Sequence, residues 1–309
     1  MTTTTHTGKT PLPTEHTSQR STTPPPASST KRWTRTRHRR LAGQISVHLA
    51  LGAGAVIVLF PFYVMLRSAF TAEPYILDGS LGLSHLTLAN FQTAWNSQPW
   101  GRYYLSSLLS TGLIFALQIV TSVPAGYALA RLRFRGARLS FWMVLACFIV
   151  PTQVIAIPNY VILSQTGVND SLTGLIIPFA SSAFGIYLMR QFILSIPQSL
   201  FDAARLDRVG PVAMVWRVVL PNVKPAILAL GVFSVIGHWN DLFWPSVILR
   251  TTTHATVPYG ITQFASQEAG SNYGPQMAAA TLAVTPLLIG FLLCQRHFVR
   301  GLALTQGID

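Results

Sequence analysis

The sequence predicts an all-α membrane protein with six transmembrane helices. Half of its 309 residues are hydrophobic and the mean hydropathy is +0.42. Only 10% are charged, against about 25% in a soluble domain. The apolar residues are gathered into six long segments, and the charge sits between them.

Residues 1–40 are rich in Thr, Ser and Pro and end in a basic run that includes Lys31, Arg32, Arg35, Arg37, Arg39 and Arg40. Such a composition cannot bury a core and predicts a disordered tail. The basic run is expected to stay in the cytoplasm against anionic lipid. No small-residue cleavage site follows a short apolar core, so a cleavable signal is not expected. Gly8-Lys9-Thr10 lacks the earlier glycine and the preceding strand of a phosphate loop and is set aside.

Six segments are long enough to span about 30 Å of hydrocarbon. They fall near 44–66, 104–130, 140–163, 172–194, 225–248 and 276–296 within a membrane-embedded region of 41–301, followed by a short tail at 302–309. Pro151, Pro158 and Pro178 interrupt the third and fourth, as proline does where neighbouring protein or water satisfies the freed backbone. With the N-terminus inside, every one of the 22 Lys and Arg except Arg67, Arg102 and Arg250 lies on the cytoplasmic side. This positive-inside bias puts both termini, and the loop 195–224, in the cytoplasm. Outside, the longest loop is 68–103, with Trp95 and Trp100 suited to the interface.

The net charge of +13 follows the topology and gives no reason to expect nucleic acid as a partner. Cys147 and Cys294 lie in apolar segments without metal-like spacing and read as small core hydrophobes. No metal-spaced cluster and no nucleophile elbow is present, so this chain is not expected to be an enzyme or to carry a cofactor of its own. The six spans show no internal duplication, which suggests assembly with a second, similar subunit.

The loop 195–224 carries the most specific signal. Ser199 is placed to cap a helix, with Asp202 three residues later bonding back and favouring the positive helix end. Ala203 and Ala204 keep one face low for close approach to a partner. Phe201 and Leu206 supply apolar contacts, Arg205 and Asp207 orientation, and Gly210 with Pro211 ends the helix. The alternative is an interfacial helix lying on lipid.

A second candidate lies in the fifth span, where polar groups are expensive and functional by default. His238 and Asp241, three apart, are expected to share a helix face beside Asn240. They suit a proton relay, a polar translocation path with Trp239 and Trp244 stacking on sugar rings, or a helix–helix hydrogen bond. Asn159 and Tyr160, after Pro158, are further candidates for the path.

Asp202-Ala203-Ala204, Asp207 and Val219-Leu220-Pro221 resemble the cytoplasmic Glu-Ala-Ala loop of binding-protein-dependent ABC importer permeases. The resemblance runs over about 60–301. It includes Tyr63, Ser68-Ala69-Phe70, Asn90-Phe91, Ala125 to Arg131, Val150-Pro151 and Ile157-Pro158. It continues through Thr166 to Asn169, Trp239-Asn240, Val257 to Gly260 and Gln295 to Gly301.

Together these look like the sugar-importer branch, similar to the smaller permease of maltose-type systems, with the type I ABC importer permease fold. The resemblance implies a coupling helix at 199–208 that docks on an ATPase. It further implies two ATPase copies carrying ATP and magnesium, a second homologous permease, an extracytoplasmic solute-binding protein, and a bacterial inner membrane. Two departures are visible. Asp202 stands for the family glutamate, and Arg208 for the glycine after Asp207, whose turn Gly210 is expected to take over. The rival readings are a proton-coupled secondary transporter using His238 and Asp241, and an ABC permease for a non-sugar solute.

Overall fold

The computed structural model describes residues 30–78, 80–83, 85–264 and 272–305. The described residues are helical, apart from loops, short 3-10 turns and one isolated antiparallel bridge between Thr71 and Leu86. Helix α1 spans Thr30–Phe70 and therefore opens inside the segment expected as a tail. The rest of that tail, with Gly8-Lys9-Thr10, lies outside the described residues. The chain divides into two compact units, Met1–Leu59 and Phe60–Asp309. In the first, His48 Nδ1 lies 2.6 Å from the Gln44 carbonyl one turn back.

The second unit holds the remaining helices. α2 is Ala89–Ser97, α3 Trp100–Arg131, α4 Ala137–Ile149, α5 Ala156–Gln165, α6 Leu172–Ile176 and α7 Ala183–Ser195. The helix α8 is Gln198–Leu206, α9 Pro211–Met214, α10 Leu220–Asn222 and α11 Lys224–Trp239. Last come α12 at Phe243–Ile248, α13 at Val257–Thr262 and α14 at Tyr273–Thr305. The final four residues of the expected C-terminal tail lie outside the described residues.

Three segments are long and apolar enough to cross a membrane alone: Ser46–Phe70, Trp100–Arg131 and Tyr273–Leu293. Two bent pairs qualify only together, Leu172–Phe179 with α7 at 44° and Pro211–Asn222 with α11 at 79°. The third expected span is broken into α4 and α5. Val150 is extended because the ring of Pro151 crowds the residue before it out of helical space. Ser171 and Ser182 restart the chain after its breaks, their hydroxyls accepting from the amides of Gly174 and Gly185 at 3.1 and 3.0 Å.

Helix α3 is the element against which α4, α6, α7, α11 and α13 pack. Its crossing with α7 is close because Ser122 and Gly126 present almost no side chain. A Cβ on Gly126 would sit 2.7 Å from Cβ of Met189, and one on Gly185 would sit 2.6 Å from Oγ of Ser122. Small residues four apart are how membrane helices bring backbones together when burial from water drives nothing.

One core gathers Tyr127, Met189, Ile193, Phe201, Val219 and their neighbours at one end of α3. A second gathers Trp100, Tyr103, Phe264 and small residues of α14 at the other. Trp100, expected at the interface, is instead a core residue. It is 1% exposed, lies parallel to Phe264 and meets Tyr103 edge-on. Trp95 is exposed. Beside this core Arg67 is buried and donates to the carbonyls of Tyr75, Ile76 and Gly82, the Ser80 hydroxyl and the Asp78 carboxylate. The loop after α1 is thus folded around one guanidinium.

Candidate functional site

Helix α8 is attached to α3 by an aromatic and cationic staple. Phe201 is fully buried, stacks on Tyr127 at 6.2 Å, and lies under the Arg131 guanidinium, 4.6 Å from the ring centre. Arg131 also donates to Gln198 Oε1 at 2.9 Å, to the Ile193 carbonyl at 2.8 Å, and to the carbonyl of Ile196. It therefore fills acceptors left open at the end of α7 while holding the start of α8. Ala204, one turn after Phe201, is buried in the same core.

Two of the residues expected in the docking helix, Phe201 and Ala204, are buried in the chain's own interior. The outward face is Asp202, Ala203, Arg205, Asp207 and Leu206, the last 85% exposed. Asp202 accepts from Gln198 Nε2 at 2.9 Å and pairs with Arg205 at 3.1 Å. Both partners of that pair are exposed, so it orders the surface more than it stabilises the fold.

The helix begins at Gln198 after Pro197, and no side chain caps it. Ser199, expected as the cap, sits exposed inside the first turn.

The C-terminal turn also differs from expectation. Arg208 itself adopts the left-handed conformation, with φ +57°, while Gly210 is extended at φ −67°. The Val209 amide reaches the Ala204 carbonyl and the Arg208 amide reaches that of Arg205, both at 3.0 Å. This is the Schellman arrangement, with Arg208 where glycine is usual. Gly210 instead precedes α9.

The second region is a cavity of about 690 Å³ between α3, α4, α5, α7 and the α11–α12 break. Asn159, His238 and Asp241 line it. His238 contacts Gln118 Nε2 at 3.4 Å, and its ring lies 4.7 Å from that of Phe179. α11 ends at Trp239, so Asp241 lies beyond it and not on a shared helix face. Its carboxylate accepts from the Trp244 amide at 3.2 Å, opening α12. Among the described residues no hydrogen bond joins His238 to Asp241.

The other candidates are placed elsewhere. Trp239 turns away from the cavity and donates to the Ala283 carbonyl of α14 at 3.1 Å. Asn240 bonds back to Ile236 and finishes α11. Tyr160 accepts from Arg250 at 2.6 Å. Trp244 does line the cavity, fixed by its bond to the Gly174 carbonyl at 3.0 Å.

Sequence reasoning missed Gln118, the one amide side chain in a span whose other polar residues within the membrane are serines and threonines. Intramembrane polarity was the available signal. Cys147, read as a core residue, is exposed on the cavity wall. The side chain of Cys294 lies outside the described residues.

Next to the cavity, the turn after α5 is clamped to the end of α12. Asp170 Oδ1 accepts from the amides of Arg250 and Thr251, both at 3.0 Å, and from the Thr251 hydroxyl at 3.2 Å. Burial pushes the Asp170 carboxyl up, but these hydrogen bonds outweigh it and hold it below its ordinary value.

Residues 122–304 match the model of the family described as binding-protein-dependent transport system inner membrane component. The chain is 32% identical over 268 residues to the sn-glycerol-3-phosphate transport system permease protein UgpE of Yersinia pestis, covering 84% of this chain and 95% of that one. It is 28% identical over 253 residues to the arabinooligosaccharides transport system permease protein AraQ of Bacillus subtilis, covering 80% and 90%. In fold it superposes on a chain of a bacterial ABC transporter involved in the import of the acidic polysaccharide alginate. The TM-score there is 0.74 at 22% identity, covering 85% of this chain and 98% of the other. A helical chain with these bent spans, matched along most of its length, belongs to the inner membrane components of binding-protein-dependent transport systems, the membrane-spanning permease subunits of ABC importers.

Proposed function

We propose that this chain forms half of the pore of an ATP-driven importer for a sugar or oligosaccharide, and that α8 docks on the ATPase. The observation that supports it most is the seating of α8. Phe201 and Ala204 are held by the core around α3, while Asp202, Ala203, Arg205 and Leu206 face outward on one short helix closed at its C-terminal end. An isolated interfacial helix would need no such staple.

In this reading the positive-inside bias puts α8 and both termini in the cytoplasm. A second six-span permease completes the pore, two ATPases carry ATP and magnesium, and a solute-binding protein delivers the cargo from outside. The permease chain does no chemistry. It links two conformations of the ATPase pair to inward and outward states of the cavity, and differential contact of α8 with those conformations sets the populations. Carbohydrate is the class favoured by the arabinooligosaccharide and alginate systems among its relatives.

The reading is tested by purifying the tagged chain from its native membrane in mild detergent and identifying what accompanies it. An ATPase, a second permease and a solute-binding protein are expected. Recovery of this chain alone, from a preparation still competent for uptake, would contradict it.

A further inference from the structure

The cavity at the α11–α12 break has a chemistry that separates solutes by charge. Its polar lining includes Gln118, Asn159, His238 and the carboxylate-bearing Asp241, set among aromatic side chains such as Phe179 and Trp244. Among the described residues no Lys or Arg lines it. Three guanidiniums of the surrounding helices and loops are engaged elsewhere. Arg190 lies 3.9 Å over the Phe141 ring and bonds the Leu129 carbonyl, Arg250 is bonded to Tyr160, and Arg131 staples α8.

Gln118 adds a second, independent observation. It is only 4% exposed, its amide nitrogen is used by the Phe179 carbonyl at 3.1 Å, and its Oε1 has no hydrogen-bond partner among the described residues. A buried acceptor of this kind costs about 1–3 kcal/mol unless something donates to it. Sugar hydroxyls donate. Acidic solutes carry hydroxyls too, but their ionised phosphate or carboxylate oxygens only accept, and taking that charge out of water without a cation is far more costly.

We infer that this cavity is a subsite for an uncharged, hydroxyl-rich solute, a neutral sugar or oligosaccharide, and that it disfavours phosphorylated and acidic ones. Gln118 and Asn159 meet the hydroxyl rim, His238 completes it, and Phe179 covers the apolar side of a sugar ring. The volume of about 690 Å³ lies within the range of about 300–1,000 Å³ typical of small-molecule sites. The inference rests on the importer reading above and sharpens its cargo. It sets this chain apart from the glycerol-3-phosphate and alginate systems that it resembles in sequence and fold.

Cys147, exposed on the wall of the cavity, supplies the readout. The purified importer, with its partner subunits, is treated with N-ethylmaleimide, and modification of Cys147 is followed by peptide mass spectrometry. The solutes compared are neutral arabino- and malto-oligosaccharides, sn-glycerol-3-phosphate and an alginate oligosaccharide. ATP hydrolysis is measured on the same panel.

A neutral oligosaccharide at ten times its half-protecting concentration should slow modification about tenfold, as 1 + [L]/Kd requires. The anionic solutes should leave the rate unchanged. Asn159→Leu should weaken the protection several-fold. Equal or stronger protection by glycerol-3-phosphate or alginate overturns the inference, and so does an absence of protection by every solute. Stimulation of ATP hydrolysis by a carbohydrate in either case leaves the importer reading standing. Failure of every carbohydrate to stimulate would defeat that reading itself.

Discussion

Replacing Phe201 by alanine should release α8 from α3. The ring is fully buried, parallel to Tyr127 and capped by Arg131. Deleting a buried phenylalanine costs about 3–5 kcal/mol, a figure that already contains the aromatic pair and the cation contact. Taking about 3 kcal/mol as local, the seated form of α8 loses roughly a hundredfold in population at 1.4 kcal/mol per tenfold. Phe201 lies outside the membrane-spanning segments, whose own apolar lengths are unchanged, so insertion and amount of the subunit should be normal.

Hydrogen exchange of the purified importer reads the effect directly. Backbone amides of residues 198–206 should exchange about a hundredfold faster in Phe201→Ala, with the amides of α3 little changed. ATP hydrolysis should lose its dependence on solute. The matched control is Leu206→Ala at the 85% exposed position, which should leave exchange unaltered and weaken recovery of the ATPase. Unaltered exchange across α8 in Phe201→Ala would refute the staple, and normal ATPase recovery in Leu206→Ala would refute the outward face.

Further outcomes follow from particular contacts. Arg208→Gly relieves a left-handed conformation that costs a non-glycine residue about 1–2 kcal/mol. It should slow exchange at the Val209 amide, the donor to Ala204. Gly126→Val, with a Cβ that would fall 2.7 Å from Met189, should reduce folded subunit in the membrane sharply, as judged by size-exclusion chromatography in detergent. Asp170→Ala should loosen the clamp on residues 250–251 and lower the melting temperature of the detergent-solubilised protein.

The same clamp should be pH-dependent. The folded carboxyl of Asp170 titrates below its ordinary 3.8, so its contribution is complete above that value. It is lost as the pH falls through the lower folded value. Asp170 stands at φ +52°, a backbone that asparagine tolerates, so Asp170→Asn, which carries no charge, should remove that step from the melting profile.

Much of this was legible in the chain. Six apolar segments, the prolines that break them and the charged helix between the fourth and fifth all stand in the sequence at nearly their structural positions. What periodicity could not supply was the inward face of α8. Phe201 and Ala204 look like contacts for a partner until Tyr127 and Arg131, about 70 residues earlier, are brought beneath them. The turn at Arg208 was hidden by residue type, since arginine rarely takes positive φ and Gly210 stood nearby.

Trp239 and Trp244 look equivalent in sequence, yet the break at 240–242 sends one to α14 and the other to the cavity. Gln118 disappears among leucines and isoleucines because one polar residue barely alters the hydropathy of a span. Its role comes only from where Phe179 and His238 meet it.

The measurement that bears most directly on the central claim is solute uptake by the complete importer in proteoliposomes, with and without internal ATP and with and without a protonophore. The account predicts uptake that requires ATP and the solute-binding protein and is indifferent to collapse of the proton gradient. Uptake by this chain without an ATPase, abolished by the protonophore and by His238→Ala, would contradict it.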